Sequence, residues 1–414
     1  MVGVALLLAL FAAVCVAALV RPLGVGGGWW AAGAAVIAVV TGLVPAASAL
    51  EGLSGTWEVL LFFAGLVLLT VALADAGAVD WLFDQLERWA GGSPRRLMVG
   101  SLLVTAAITA LFSNDAAALL VAPTVARRVA QRRLPPIRFL VGIAVMANAA
   151  SLVLPVSNPV NLLVLERDHI PLPSYLLQVT PAALVAVLVA GLAISWLLTR
   201  GLPSRSSVSP ADPPGRDPGL LRALAAVLAA LLVVDLWSGA AGLSLGPPTA
   251  VGGLVALTIC WVRGGASPLR AVVVGRWSLL PLVAGLAVLG TGLQAAGPVA
   301  AVAHQLVGTG GMAAEVRVGL ATAAASALTN NLPAAFLGMA GLGAVGQLTR
   351  LGIPLIAGAD LGANLAPTGS LSTLIILAPG GAAAPVRWRH FWPVAWFAGP
   401  LGLAAALSLL AVAR

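Results

Sequence analysis

The sequence contains no lysine: all 22 of its basic residues are arginine. A Walker-type phosphate loop sets a lysine on the nucleotide phosphates, and a Schiff-base enzyme needs a lysine amine. Neither class fits this chain. Cysteine is nearly missing as well. Cys15 and Cys260 each sit inside an apolar run, which removes a disulfide framework and a cysteine-based zinc site. His169, His304 and His390 are isolated and no HExxH spacing occurs, so neither a catalytic metal nor a cofactor is expected. Charge is scarce too, at 9% of residues, against about 25% in an average soluble domain.

What is present is apolar. Of 414 residues 60% are hydrophobic, and the mean hydropathy is +1.04. A water-soluble globule of this size could not hide that much apolar surface. The fold class is therefore an all-α polytopic membrane protein. The net charge of +8, spread over loops, reads as an orientation signal rather than a nucleic-acid footprint.

About 20 apolar residues cross a bilayer as a helix. On that scale, spans are predicted near 2–20, 29–49, 56–75, 137–165 (broken), 174–199, 219–238, 247–262, 278–296, 352–378 (broken) and 390–411. Residues 76–92 carry Trp81, Leu82, Leu86 and Trp89 at helical spacing beside Asp80, Asp84, Glu87 and Arg88, the pattern of an interfacial amphipathic helix. Residues 201–218 are Ser/Pro-rich and charged, a polar linker. Two stretches, 97–130 and 314–347, place a three-residue polar tip between apolar arms. The arm 97–112 makes about 24 Å of helix, short of a core of about 30 Å. Both stretches are read as re-entrant helical hairpins, with two short tilted spans as the alternative.

In that topology most arginines fall on one side, and only Arg167, Arg317, Arg350 and Arg414 on the other. The bias places the linker in the cytoplasm and both termini outside. Tryptophans at span ends, such as Trp29, Trp57, Trp237 and Trp388, form the expected aromatic belt. The arginines of 127–138 are read as part of the same signal, with some lipid phosphate contact.

The two halves match. Residues 155–165 (PVSNPVNLLVL) align with 367–377 (PTGSLSTLIIL), and running the same offset backwards pairs Asn148 with Asp360. Each half holds three spans, a hairpin, a broken span and a final span. Five crossings is an odd number, so residues 1–200 and 219–414 are expected to be inverted-topology repeats, joined by the linker 201–218. Interrupted helices at matching places in inverted repeats mark a secondary transporter.

Polar residues gather at four breaks: 113–115, 148–161, 329–331 and 360–373. Polar groups at bilayer depth are costly unless they line a wet cavity or are buried in protein. Broken helices also expose termini that bind small solutes. Candidate substrate contacts are Ser113, Asn114, Asn158, Asn161, Thr329, Asn330, Asn331, Asn364, Thr368 and Ser370. For any one of them, helix–helix hydrogen bonding is the plainer role. Of the carboxylates, only Asp115 and Asp360 fall at central breaks; most of the others, including Asp75, Glu166 and Asp235, are placed in loops or at span ends. Asp115, with Asp360 second, is the candidate for a coupling proton, and helix capping is the alternative. Residues 166–169 (Glu-Arg-Asp-His) are read as solvated outer surface.

The tips LFSNDAAALLVAPTV (111–125) and ALTNNLPAAF (327–336), with NAASLVLPVSNPVNLLVL (148–165) and GADLGANLAPTGSLSTLIIL (358–377), resemble the ArsB-type arsenical pump family. That family belongs to the wider ion-transporter superfamily, and the resemblance covers nearly the whole chain. It implies export of arsenite or antimonite from the cytoplasm across the cell's inner membrane, in exchange for protons, alone or with a separate soluble arsenical-pump ATPase. Arsenite near neutral pH is mainly an uncharged trihydroxide, which suits neutral Ser, Thr and Asn groups. The tips read Ser-Asn-Asp and Thr-Asn-Asn where sodium-coupled carboxylate carriers of the superfamily repeat Ser-Asn-Thr. Sodium/proton exchange or dicarboxylate transport stays as the alternative, and a non-transporting sensor as a third.

Overall fold

The computed structural model describes residues 2–168, 170–205, 217–264, 268–275, 277–378 and 388–412. His169, most of the linker, Arg276, Arg387 and Arg414 lie outside the described residues. Every regular element among the described residues is helical. The first part runs α1 (Val2–Val20), α2 (Gly27–Val40), α3 (Ala46–Ser54), α4 (Trp57–Asp75), α5 (Ala78–Ala90), α6 (Pro94–Leu111), α7 (Asn114–Ala116), α8 (Ala122–Gln131), α9 (Pro136–Ala150), α10 (Pro159–Asp168) and α11 (Leu172–Leu198). The second runs α12 (Pro218–Ala240), α13 (Gly246–Val262), α14 (Pro268–Val274), α15 (Leu279–Gln294), α16 (Gly297–Val307), α17 (Gly311–Thr329), α18 (Asn331–Ala344), α19 (Leu348–Gly362), α20 (Leu371–Ile376) and α21 (Trp388–Val412). Proline opens α6, α9, α10 and α12, where its missing N–H would be unbonded anyway.

Among the described residues, six helices are long and apolar enough to cross a membrane: α1, α4, α6, α11, α12 and α21. The pair α15–α16 passes the same test together, bent by 82°. Three details depart from the sequence expectation. The stretch 29–49 is two helices, because α2 ends at Val40, the chain turns at Gly42 (φ 73°) and Pro45 leads into α3. A left-handed φ is open to glycine, and proline cannot continue the ladder. The arm expected at 97–112 falls on α6, which starts three residues earlier, at Pro94. Finally, α16 follows α15 in the order in which α5 follows α4, an element the hydropathy pattern did not reveal.

Pairing between the two parts is reciprocal. Helix α4 packs on α13, and α15 packs on α2. Glycine makes both contacts close. A Cβ on Gly65 would lie 2.3 Å from the Thr249 carbonyl oxygen, and one on Gly253 2.3 Å from that of Gly65. In the other pair, a Cβ on Gly28 would lie 1.8 Å from the Ser278 carbonyl oxygen, and one on Gly285 2.4 Å from the carbonyl carbon of Ala31. Small residues serve helix packing in membranes in this way, by letting backbones approach.

Four of the five arginines of 127–138 meet partners within the protein, while Arg127 and Arg133 stay exposed. On α5, Asp80, Asp84 and Glu87 share one face and meet α8. Arg127 pairs with Asp80, Arg128 with Asp84 at 2.7 Å, and Arg132 with Glu87 at 3.1 Å. Arg138 donates to the Arg200 carbonyl at 2.6 Å. Carboxylates at i, i+4 and i+7 line one face of a helix, so α5 offers acids to α8 while Trp81 and Trp89 face outward.

Candidate functional site

Two of the four breaks meet at the centre of the molecule. The first of these follows α9, at 151–158, where the backbone leaves helical geometry before Pro159 restarts it. A broken helix frees carbonyls that lipid cannot satisfy, and here each finds a side-chain donor. Asn161 donates to Ser151 O at 2.7 Å and to Leu154 O at 3.3 Å. Tyr175 donates to Leu152 O at 2.8 Å, and Thr180 to Val153 O at 2.9 Å. Tyr175 and Thr180 stand on α11 and were not among the expected site residues. Tyr175 carried a signal, being the sole tyrosine of the chain and set in an apolar span.

The second central break follows α19, at 363–370. Asn364 Nδ2 donates to Val145 O of α9 at 3.0 Å. Across the crossing, Asn148 Nδ2 donates to Asn364 Oδ1 at 3.0 Å and to Thr373 Oγ1 at 2.9 Å. Asn158 Nδ2 donates to Asp360 Oδ1 at 2.7 Å, while its own Oδ1 accepts from Val160 N–H. Asn148, Asn158, Asn161, Asp360, Asn364 and Thr373 are all buried. Ser370 and Ser372 share a hydrogen bond of 2.7 Å next to them. So the structure brings together Asn158, Asn161, Asp360 and Asn364 of the expected set, with Asn148 and Thr373 added.

The tips play other parts. Ser113 Oγ accepts from Ala116 N–H at 3.0 Å, capping α7. A π-helical turn, 117–121, carries this tip against α20. In the second part α18 packs against α10. Thr329 bonds its own helix at Ala325 O, and Thr368 reaches Ala327 O at 2.6 Å, so both hydroxyls hold backbone. Asn330 takes a left-handed φ of 106° and caps α18 through Leu332 N–H. Asn114 and Asn331 are buried at their tips.

Asp115 and Asp360 are not partners. Asp115 opens, with Ser113, Thr70, Asp75 and Arg270, onto a cavity of about 130 Å³ that Asp360 does not line. Asp75, placed at a span end by sequence, pairs there with Arg270 at 2.9 Å. Asp235 lies near the end of α12, 3.4 Å from Thr249 Oγ1, on a cavity of about 250 Å³ that reaches Pro155 and Val156 of the first central break.

The segment 166–168 is the last turn of α10, exposed at Arg167 and half-buried at Glu166 and Asp168. Asp168 accepts from Thr349 at 2.7 Å, and Arg167 donates to Gln294. Glu166 and Arg167 line a polar cavity of about 740 Å³ with Ser48, Glu51, Thr56 and Thr291. Three-dimensional packing of α3, α10, α15 and α18 builds this cavity from residues that share no motif. Among the described residues no group of three or more His, Cys, Asp or Glu could hold a metal ion.

The citrate-transporter family CitMHS matches residues 3–377. The arsenical pump membrane protein of Escherichia coli K12 is 27% identical over 383 residues, 89% of each chain. That of Yersinia enterocolitica is 28% identical over 382 residues, again 89% of each. The silicon efflux transporter LSI3 of rice is 35% identical over 126 residues, 30% of this chain and 25% of its own. Two solved structures share the fold. The Alcanivorax borkumensis YdaH transporter aligns with a TM-score of 0.53 at 16% identity, over 88% of this chain and 87% of its own. Neisseria gonorrhoeae MtrF aligns at 0.51 and 14% identity, over 99% and 94%.

Proposed function

We propose, for a chain that belongs to the CitMHS citrate-transporter family, that this multi-pass membrane transporter exports arsenite or antimonite from the cytoplasm in exchange for protons. One observation carries the substrate class: the two central breaks are joined by neutral amides and hydroxyls around a single carboxylate, Asp360. The four breaks contain no arginine and no histidine. A neutral trihydroxide finds both donors and acceptors in such a place. A tricarboxylate would bring further negative charge to Asp360 without a cation to meet it. The arsenical pump relatives, which match over 89% of each chain, support the same reading.

The architecture we attach to this function is two inverted repeats, 1–200 and 219–414, with hairpins at 97–130 and 314–347, the linker cytoplasmic and both termini outside. The recurring element order and the reciprocal α2–α15 and α4–α13 pairing support it. Alternating access then moves hairpins and broken helices against the remaining frame.

Arsenite uptake into everted vesicles, under an imposed pH gradient and without ATP or sodium, tests the proposal. Uptake that collapses with a protonophore is the expected result. Uptake that needs sodium, or that occurs for citrate but not arsenite, overturns it. A requirement for an added soluble ATPase would overturn the proton as the driving ion.

A further inference from the structure

At the seam between α12 and the first central break, a carboxyl opens onto hydrocarbon. Leu228, Leu232 and Asp235 fall four and three residues apart on α12, which sets them on one face. That face lines the cavity of about 250 Å³, whose other walls include Phe62 of α4 and Pro155 and Val156 of the break. Among the lining side chains only Asp235 and Thr249 are polar, and none is basic. An ionisable side chain on a membrane span is costly to keep unless it serves a partner.

Thr249 is a poor partner. Its hydroxyl has one hydrogen to give. Leu245 O lies 2.8 Å from Thr249 Oγ1, whereas both Asp235 oxygens lie 3.4 Å from it. The nearer acceptor takes the hydrogen. Neither carboxyl oxygen then receives a short hydrogen bond from the described residues. Asp235 is half-buried, so its carboxyl is open to a visitor rather than sealed in protein.

The walls narrow the choice of visitor. A hard metal ion gathers about six or more oxygens, and the lining side chains offer a carboxyl and one hydroxyl. A phospholipid headgroup brings a phosphate, for which the cavity holds no cation. A plain hydrocarbon chain fits the leucines and leaves the carboxyl unanswered. Only an ion that joins one positive charge to an apolar body answers both. Pockets for drug-sized ligands run to about 300–1,000 Å³, so this occupant is small.

We propose that this cavity is a binding site for a small lipophilic organic monocation, with the charged head against Asp235 and the hydrocarbon between α4, α12 and the first central break. The site is separate from the polar breaks and holds whatever solute those breaks carry. Its ligand touches two frame helices and the broken segment together, and so ties them. Asp235 supplies the counter-charge, while Phe62, Leu228 and Leu232 select for an apolar body.

Binding of radiolabelled decyltrimethylammonium to the purified full chain tests the site, in maltoside micelles at mildly alkaline pH. That probe carries a permanent charge, and the micelle offers no cation of its own. Saturable binding is expected, displaced by the unlabelled cation and not by undecanol, its uncharged analogue in length. Asp235→Asn, close in shape, should bind about tenfold or more weaker. Ala229→Phe fills the same cavity from an exposed position and keeps the carboxyl, and it too should weaken binding. A ligand that ties helices also raises the melting temperature, in the native chain and not in Asp235→Asn. Uptake that never saturates is partition into the micelle and overturns the proposal. Undecanol competing as well as the cation overturns it too, because the pocket then reads hydrocarbon alone. Unchanged affinity in Asp235→Asn or in Ala229→Phe places the probe elsewhere and has the same force. No arsenite enters these measurements, so failure of the transport reading leaves them intact.

Discussion

Asn148 and Asn364 hold the two central breaks together through a pair of bonds that fix each other's orientation. Asn364 Nδ2 donates to Val145 O at 3.0 Å, which turns its Oδ1 to receive Asn148 Nδ2 at 3.0 Å. Asn364→Ala strands one Asn148 hydrogen in a buried place, at a cost of about 1–3 kcal/mol. Thermal unfolding in detergent should rank native above Asn364→Ala; equal melting of the two would remove the tie.

The clasp between α5 and α8 makes a second test. Arg128 and Asp84 are each 9% exposed in their side chains and 2.7 Å apart. Removing one partner of a buried pair costs about 3–5 kcal/mol, because the other charge stays behind. Arg128→Ala should therefore melt earlier than Arg128→Ala combined with Asp84→Ala. A double variant no better than the single would show that the charges act independently.

Glycine seams are sensitive to a single methyl group. Gly65→Ala drives its Cβ onto the Thr249 carbonyl, 2.3 Å away, and α4 must move off α13. Overpacking of this kind costs about 1–3 kcal/mol. Gly33→Ala, on α2 where nothing lies within 4 Å, is the control and should melt like the native chain.

At the polar end of α12, Asp217 accepts from Gly219 N–H at 2.8 Å and lies 3.3 Å from Arg263. The Gly219 amide first, and then the other backbone and arginine contacts, hold this carboxyl below the usual aspartate range. A depressed value in the folded chain means that the cap is complete at neutral pH. Its contribution is present above the unfolded value of about 3.9 and disappears as pH falls through the lower folded value. Protection of the Gly219 amide, followed by hydrogen exchange, should persist down to that acid range in the native chain. In Asp217→Asn, which keeps a capping oxygen, the protection should no longer depend on this titration.

All four breaks were visible in the sequence because polar residues cluster there inside apolar runs, joined at the central breaks by Pro155, Pro159 and Pro367. Proline alone was no guide, since Pro181, Pro354, Pro393 and Pro400 stand inside α11, α19 and α21. What the chain alone could not tell was direction. Thr329 and Thr368 look like ligands in a list of polar residues, yet each hydroxyl turns to a backbone carbonyl. Arg128 reads as a surface charge until Asp84, 44 residues earlier, is folded against it. Asp115 and Asp360 seem equivalent as intramembrane acids; only packing puts one beside Arg270's cavity and the other against Asn158. Residue type at a break is a local property, whereas the partner is set by helices far apart in the chain.

The seams between α4 and α13 also constrain how the protein is made. Cys260 Sγ meets Ala72 O across that seam, 188 residues away in the chain. Synthesis from the N-terminus delivers α2 and α4 to the bilayer well before α13 and α15 exist. Until the second part emerges, the backbone-lined faces of Gly28 and Gly65 have no partner and rest against lipid or the insertion machinery. Closing the frame is thus a late, post-insertion event, and neither part of the chain completes it alone.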